Sequence, residues 1–472
     1  MTHGVDGAQP VMAYDLAIIG SGPGGYVAAI RAAQLGMRVA LIEEDALGGV
    51  CLNWGCIPSK AILSAAEHFD QLKRGKVPGL QLKDLSVDYG AVIDASRKAA
   101  ERLSRGVASL MRKNQIEVVR GRGRLAGSGQ VLVSDGERES TLEARNILLS
   151  TGSRELVLPG IEIDGRRVLT SRQALEAREL PESIVIVGGG AVGLEFAYTY
   201  AVYGVQVTIV EMMDQLLPGL DRELAEALAN SFTRRGVKIA TSTTYRGLEV
   251  NDQGVVVTVE GEKGEQELRM DQLLLAVGRR ARVEDIGLEQ AGVQVENGFI
   301  AVGEDYRTAA PGIWAIGDVI GPPLLAHKAS EEGKAAVEFM AGQRKKRVDP
   351  KTIPACIYCQ PQVASVGLSE DEARAADYDV RVGKVPFVAS GKAVGTGHTE
   401  GFVKIVSDAR YGEILGCQAI GAGVTELIAE VTLAMTLEAT VREVGGTCHA
   451  HPTLSEVIME SALAAEGRAI HF

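Results

Sequence analysis

Apolar residues along this chain gather in short runs separated by glycine-rich turns. After Asp15, residues 16–19 (Leu-Ala-Ile-Ile) form a continuous apolar run of the kind expected for a buried strand, leading into Gly20-Ser-Gly22-Pro-Gly-Gly25. An alanine-rich stretch from Tyr26 to Leu35 predicts a helix, and the next apolar run, 38–42, ends on Glu43. The order recurs: the run 183–187, then Gly188-Gly-Gly190-Ala-Val-Gly193, a helical stretch, the run 206–210 and Glu211. Subtracting Gly20 from Gly188, Gly22 from Gly190, Gly25 from Gly193, Gly36 from Gly204 and Glu43 from Glu211 gives 168 each time. Further helices are predicted from Ala61 to Phe69 and, amphipathic, from Glu426 to Met435.

Strand, glycine turn, helix, strand, acid is the order of a dinucleotide-binding unit. The glycines permit a tight turn and close approach of a diphosphate to the helix N-terminus, and the acid can bind a ribose hydroxyl. A lone glycine pattern is weak evidence, but a complete unit repeated at constant offset predicts two homologous folds binding two different dinucleotides. Glu211 would accept from a free ribose 2′-hydroxyl and repel a 2′-phosphate, so a nicotinamide cofactor of the second unit is expected to be NAD rather than NADP.

Composition narrows the class. A chain of 472 residues is long enough for about three domains. A formal charge of −12 argues against nucleic acid as principal ligand. No segment approaches about 18 consecutive apolar residues, and the N-terminus lacks a basic n-region and an apolar h-region, so a soluble, cytoplasmic protein without a membrane partner is expected. Six cysteines are too few for a secreted disulfide framework.

Cys51 and Cys56 flank Asn53 and Gly55, just before a predicted helix that carries Lys60. Five residues of regular helix rise roughly 7.5 Å, beyond the usual Cα limit of about 7 Å for a disulfide, so a bridge here requires Cys51 to sit in a turn before the helix. A helix N-terminus and Lys60 would stabilise a thiolate, as exchange chemistry needs; two buried thiols are the alternative. Near the C-terminus, His451 and Glu456 can act as a proton-shuttling imidazole oriented by a carboxylate, but Thr453 and Glu456 equally spell a helix capping box. Glu195 reads from the residues alone as a helix surface charge.

Gly-Gly-Val-Cys51-Leu-Asn-Trp-Gly-Cys56-Ile-Pro-Ser-Lys60 resembles the redox-disulfide signature of the flavin-dependent pyridine nucleotide–disulfide oxidoreductases, and from Tyr14 onward further motifs fall in that family's order. The resemblance implies an α/β chain with two Rossmann-like domains, one for FAD and one for NAD, plus a C-terminal α+β interface domain. Expected limits are 1–152 and 280–349 for FAD, 153–279 for NAD and 350–472 for the interface. It implies FAD contacts from Gly20, Gly22, Gly25, Glu43, Lys60, Thr151, Gly152, Ser153, Asp318 and Ala326. For NAD it implies Gly188, Gly190, Gly193, Glu211 and Gly278. It pairs Glu195 with Lys60 and makes Cys51, Cys56, Lys60, Glu195, His451 and Glu456 catalytic, with His449 in support. It further implies a homodimer in which His451 serves the partner's disulfide, oxidising dihydrolipoyl groups with NAD. Only about thirteen residues precede the first strand, so the lipoyl group is expected on a separate carrier protein, within a 2-oxo acid dehydrogenase or glycine cleavage complex. A reductase of another small disulfide and a noncatalytic complex subunit are the competing readings.

Three features depart from the family pattern: Val50, Trp54, and the absence of a proline soon after Arg279. No metal site is expected. Cys356 and Cys359 form a second C-x-x-C, but no second ligand pair lies nearby and the segment reads as the start of a strand. The basic run Arg344–Arg347 reads as a solvated linker. Glu211→Arg is expected to raise NADPH use relative to NADH; an unchanged ratio in steady-state assays with each cofactor counts against ribose recognition by Glu211.

Overall fold

The computed structural model describes residues 13–75 and 77–472. Its elements cluster into two compact units: the chain up to Pro58, Arg97–Arg154 and Arg279–Val348 in one, and Ser59–Ser96, Glu155–Gly278 and Asp349–Phe472 in the other.

In the first unit, strand Tyr14–Ile19 runs parallel between Val39–Glu43 and Glu139–Leu149, with Glu117–Arg120 and Ile313–Ala315 outside them. Leu16 and Ile18 enter one apolar core, Ala17 and Ile19 another. Both faces are therefore covered, which is why the sequence shows a continuous apolar run instead of alternation. The N-terminal half of Glu139–Leu149 leaves this sheet to pair antiparallel with Gln130–Ser134, and Arg122–Leu125 extends that meander.

The second unit repeats the plan. Lys238–Ala240, Gln206–Val210, Ser183–Val187, Gln272–Leu275 and Val168–Thr170 pair in that order, all parallel. The first helices, Pro23–Gln34 and Ala191–Val202, differ by the same 168 positions at both ends. Pro23–Gln34 begins three residues before the predicted Tyr26, because a proline suits the first helical position, where its missing N–H is not needed. Its alanines serve close approach: helix Ala326–Met340 packs along it so tightly that a Cβ on Gly333 would strike the Gly24 carbonyl.

The second unit also holds a three-stranded antiparallel sheet, Thr244–Asn251, Gly254–Gly261 and Gly264–Met270. A five-stranded antiparallel sheet follows, ordered Ala355–Ile357, Gln362–Gly367, Ile414–Gly421, Phe402–Asp408, Val380–Pro386. The helix predicted from Glu426 to Met435 runs from Val424 to Thr436, and its buried Val424, Ile428 and Val431 meet Val457, Ile458 and Ala462 of helix Glu456–Ala465 in one core with this sheet. The architecture is the expected one, two Rossmann-like α/β folds and a C-terminal α+β domain. Among the described residues no helix is long and apolar enough to cross a membrane.

Each first strand ends in a glycine with positive φ, Gly20 (+98°) and Gly188 (+114°), where an L side chain would be strained. A Cβ on Gly25 would collide with the carbonyl oxygen of Gly20, and one on Gly193 with that of Gly188. Gly25→Ala and Gly193→Ala should therefore each lower stability by about 1–3 kcal/mol. A chemical-denaturation midpoint equal to wild type in both variants would mean that the turns relax without cost.

Candidate redox active site

The two glycine turns have the clearance and free backbone donors that a dinucleotide diphosphate needs. Gly22 and Gly190 face open space, and no side chain caps either helix start. The acids at the strand ends close the turns. Glu43 accepts from Ser21 N (2.9 Å), Ser21 Oγ (2.6 Å) and Asp45 N (2.8 Å). Glu211, buried, accepts from Gly189 N (2.6 Å) and Met213 N (2.8 Å).

Thr151, Gly152 and Ser153 lie at one crossover of the first unit. Thr151 Oγ1 donates to the Arg282 carbonyl (2.8 Å), Arg282 N to that of Gly152 (2.9 Å), and Ser153 Oγ to Asp318 Oδ2 (2.5 Å). Arg279 donates in turn to Ser153 Oγ and its carbonyl at 2.8 and 2.9 Å. Asp318 sits on the 3₁₀ turn Gly317–Ile320, which a buried ion pair on the next helix secures. Lys328 Nζ lies 3.2 Å from Glu332 and donates to the Gly321 carbonyl, while Glu332 accepts from Gly317 N at 2.8 Å. Ala326 is the first residue of that helix, at an N-terminus without a side-chain cap. Gly278, at φ +116°, has open space where a Cβ would stand. The Lys328–Glu332 pairing is not legible in the sequence, because only packing buries it.

Cys51 and Cys56 are joined in a disulfide with Cα atoms 4.7 Å apart. Cys51 lies in its own short helix, Gly49–Trp54, instead of the expected turn, and Cys56 starts the helix Cys56–Lys73. The break at Gly55 between them shortens the separation that one continuous helix would impose. The short helix is seated on the first glycine turn: Gly48 N donates to the Ser21 carbonyl (3.1 Å), and a Cβ on Gly49 would fall 2.8 Å from Gly22 Cα. Asn53 pins it by donating to the carbonyls of Leu47 and Gly49, and Arg97 donates to the Asn53 carbonyl (2.5 Å).

Lys60 lies one helical turn beyond Cys56 and pairs with both oxygens of Glu195, at 2.9 and 3.0 Å. Glu195 is 8% exposed and therefore no surface charge. Tyr358, which the sequence gave no reason to select, donates its backbone N–H to Glu195 (3.1 Å) and sets its ring 4.4 Å from Lys60 Nζ. Cys356 lies on the strand Ala355–Ile357 and Cys359 just after it; burial pushes the Cys356 thiol up to about 11 and the Cys359 thiol up further, away from thiolate chemistry.

His451 is exposed, with Nδ1 2.9 Å from Glu456 Oε1. Glu456 Oε2 accepts from Thr453 N (2.8 Å), and this bond, then His451, hold the carboxyl below its usual range. Half of the capping box thus forms; Thr453 Oγ1 turns instead to the Ala450 carbonyl (2.7 Å). His449 is half-buried, its covered side chain held between Glu430 (2.7 Å) and the Thr447 carbonyl (2.9 Å).

The sequence profile of the pyridine nucleotide-disulphide oxidoreductases matches residues 14–333, and that of the same family's dimerisation domain matches 353–462. The chain belongs to this family. A dihydrolipoyl dehydrogenase of Zymomonas mobilis is 46% identical over 462 residues, 97% of this chain and 99% of that one. One from Bacillus subtilis is 43% identical over 470 residues, again 97% and 99%. Among solved structures, LpdA of Mycobacterium tuberculosis superposes with a TM-score of 0.89 at 28% identity, covering 95% of this chain and 98% of that one. The HOCl-induced flavoprotein disulfide reductase RclA of Escherichia coli gives 0.84 at 26% identity, covering 95% and 99%.

For a pyridine nucleotide-disulphide oxidoreductase the Lys60–Glu195–Tyr358 cluster has a direct electrostatic reading. The carboxylate neutralises a partly exposed ammonium and satisfies a backbone N–H together. Glu195→Leu leaves the Tyr358 N–H without its acceptor and the ammonium without its counter-charge, so it should cost about 1–3 kcal/mol, whereas Glu195→Gln, which still accepts, should cost less. Equal urea midpoints for the two variants would sink this account of the cluster.

Proposed function

We propose that the chain oxidises dihydrolipoyl groups to the lipoyl disulfide with NAD as final acceptor, the activity named for relatives matching nearly its whole length. The observation that carries it is the Cys51–Cys56 disulfide on a short helix seated against the first glycine turn. A substrate thiolate attacks Cys51 Sγ, the protein S–S bond breaks, and Cys56 leaves as a thiolate. His451, oriented by Glu456, takes the proton of the second substrate thiol. That thiolate closes the lipoyl disulfide and expels Cys51, so two electrons come to rest on the cysteine pair. FAD held at the first glycine turn would supply the two-electron carriage between the reduced cysteine pair and NAD.

In this reading Gly20, Gly22, Gly25, Glu43, Lys60, Thr151, Gly152, Ser153, Asp318 and Ala326 hold FAD, and Gly188, Gly190, Gly193, Glu211 and Gly278 hold NAD. The open, uncapped helix starts support it. We assign 1–152 with 280–349 to the FAD domain, 153–279 to NAD and 350–472 to the interface. The dimerisation-domain match supports a homodimer, in which His451 and Glu456 of one protomer serve the partner's disulfide. The lipoyl group arrives on a separate carrier of a 2-oxo acid dehydrogenase or glycine cleavage complex. Four free cysteines beside a single disulfide suit a reducing, cytoplasmic compartment.

The test is an anaerobic assay with dihydrolipoamide and either NAD or NADP, following nicotinamide and flavin spectra together. NAD-specific turnover is expected. Cys51→Ser and His451→Gln should each lower turnover by at least about 100-fold while FAD stays bound; wild-type turnover in either variant overturns that residue's role, and reduction by NADH without dihydrolipoamide turnover moves the substrate to another disulfide.

A further inference from the structure

Glu211 is followed by two methionines that the fold leaves uncovered. Met212 is 65% and Met213 46% exposed, while the other methionines among the described residues, Met37, Met111, Met270, Met340, Met435 and Met459, are buried or half-buried. The backbone beneath the pair is nevertheless fixed. Met213 N donates to Glu211 Oε1 (2.8 Å), its carbonyl accepts from Ser242 N (2.7 Å), and Leu217 N donates to the Gly189 carbonyl (2.9 Å), tying the loop to the glycine turn. Two thioethers are thus carried at the surface on a fixed backbone, although burial would favour them by the hydrophobic effect. Scattered exposed apolar residues need no explanation, but an adjacent pair on a pinned loop beside a ribose-binding carboxylate is a presented surface.

We propose that Met212 and Met213 are an oxidant-sensitive modification site, at which sulfoxide formation weakens dinucleotide binding to the second glycine turn. The proposal rests on the reading of Glu211 as the NAD ribose ligand. The ribose held there is bonded to adenine, so the base falls within reach of the residues directly after Glu211. A soft thioether packs well against the edge or face of an aromatic ring. Hydrogen peroxide transfers one oxygen atom to a methionine sulfur: the O–O bond breaks, an S–O bond forms, sulfur loses two electrons and water leaves. The sulfoxide is polar and chiral, no longer suits an apolar ring, and is reversible by methionine sulfoxide reductases.

The test uses the FAD-loaded protein and ADP-ribose, which carries the adenine, ribose and diphosphate but no nicotinamide. Binding is measured by calorimetry before and after peroxide treatment followed by dithiothreitol, with peptide mass spectrometry locating the sulfoxides. Oxidation at Met212 or Met213 should weaken ADP-ribose binding about three- to tenfold. Methionine sulfoxide reductase should restore it, and Met212→Leu/Met213→Leu, whatever its starting affinity, should lose nothing further on treatment. Sulfoxide at these positions with unchanged affinity overturns the proposal alone, as does oxidation confined to other methionines or an equal loss in the double variant. Untreated protein that does not bind ADP-ribose overturns the reading of Glu211 and the proposal with it.

Discussion

A missing side chain sets the geometry from which the rest is built. At Gly25 and again at Gly193 a helix turns back onto the strand before it so closely that the carbonyl of Gly20 or Gly188 occupies the space of a Cβ. That contact fixes where each helix starts, and it leaves Gly22 and Gly190 open at an uncapped end where amide donors point outward. The parallel strands behind are buried on both faces and give the turn a rigid floor. Tolerance is therefore lowest at the place where a diphosphate would need a fixed cradle.

In the first unit this constraint passes directly to the redox chemistry. Gly48 and Gly49 both have positive φ and press the short disulfide helix onto Ser21 and Gly22. The cysteine pair is thus referenced to the glycine turn through backbone, which holds position better than a flexible side chain can. The second unit has the same turn, but Glu211 is followed by an exposed loop in place of a cysteine helix. One ancestral plan carries two different attachments.

Much of this was legible because it is local. Apolar runs, glycine spacing and a constant offset of 168 report strands, turns and duplication, each of which depends on residues close in sequence. The disulfide spacing was legible too, but its backbone was not: Gly55 ends one helix where a simple turn was expected. What the sequence hid are partners brought together by folding. Tyr358 meets Glu195 across 163 positions, and His449, outside any helix, finds Glu430 on the helix Val424–Thr436. Glu195 looked like surface because helix Ala191–Val202 is apolar nearly all round, so no polar face marks which side is buried.

For Glu456 the sequence offers a helix cap and an orienting acid as alternatives, and a carboxylate need not choose. Glu456 gives one oxygen to the Thr453 amide, as a cap would, and the other to His451, as an orienting acid would. Glu195 takes the Tyr358 amide while pairing with Lys60. Glu43 and Glu211 tie their own turns together through backbone amides and keep further lone pairs for a ligand hydroxyl. In each case the backbone amide fixes the carboxylate before any ligand or proton arrives, so the charge is already oriented when it is used. The structural and chemical roles coincide because a group that must act in a fixed direction is best held by the chain it helps to fold.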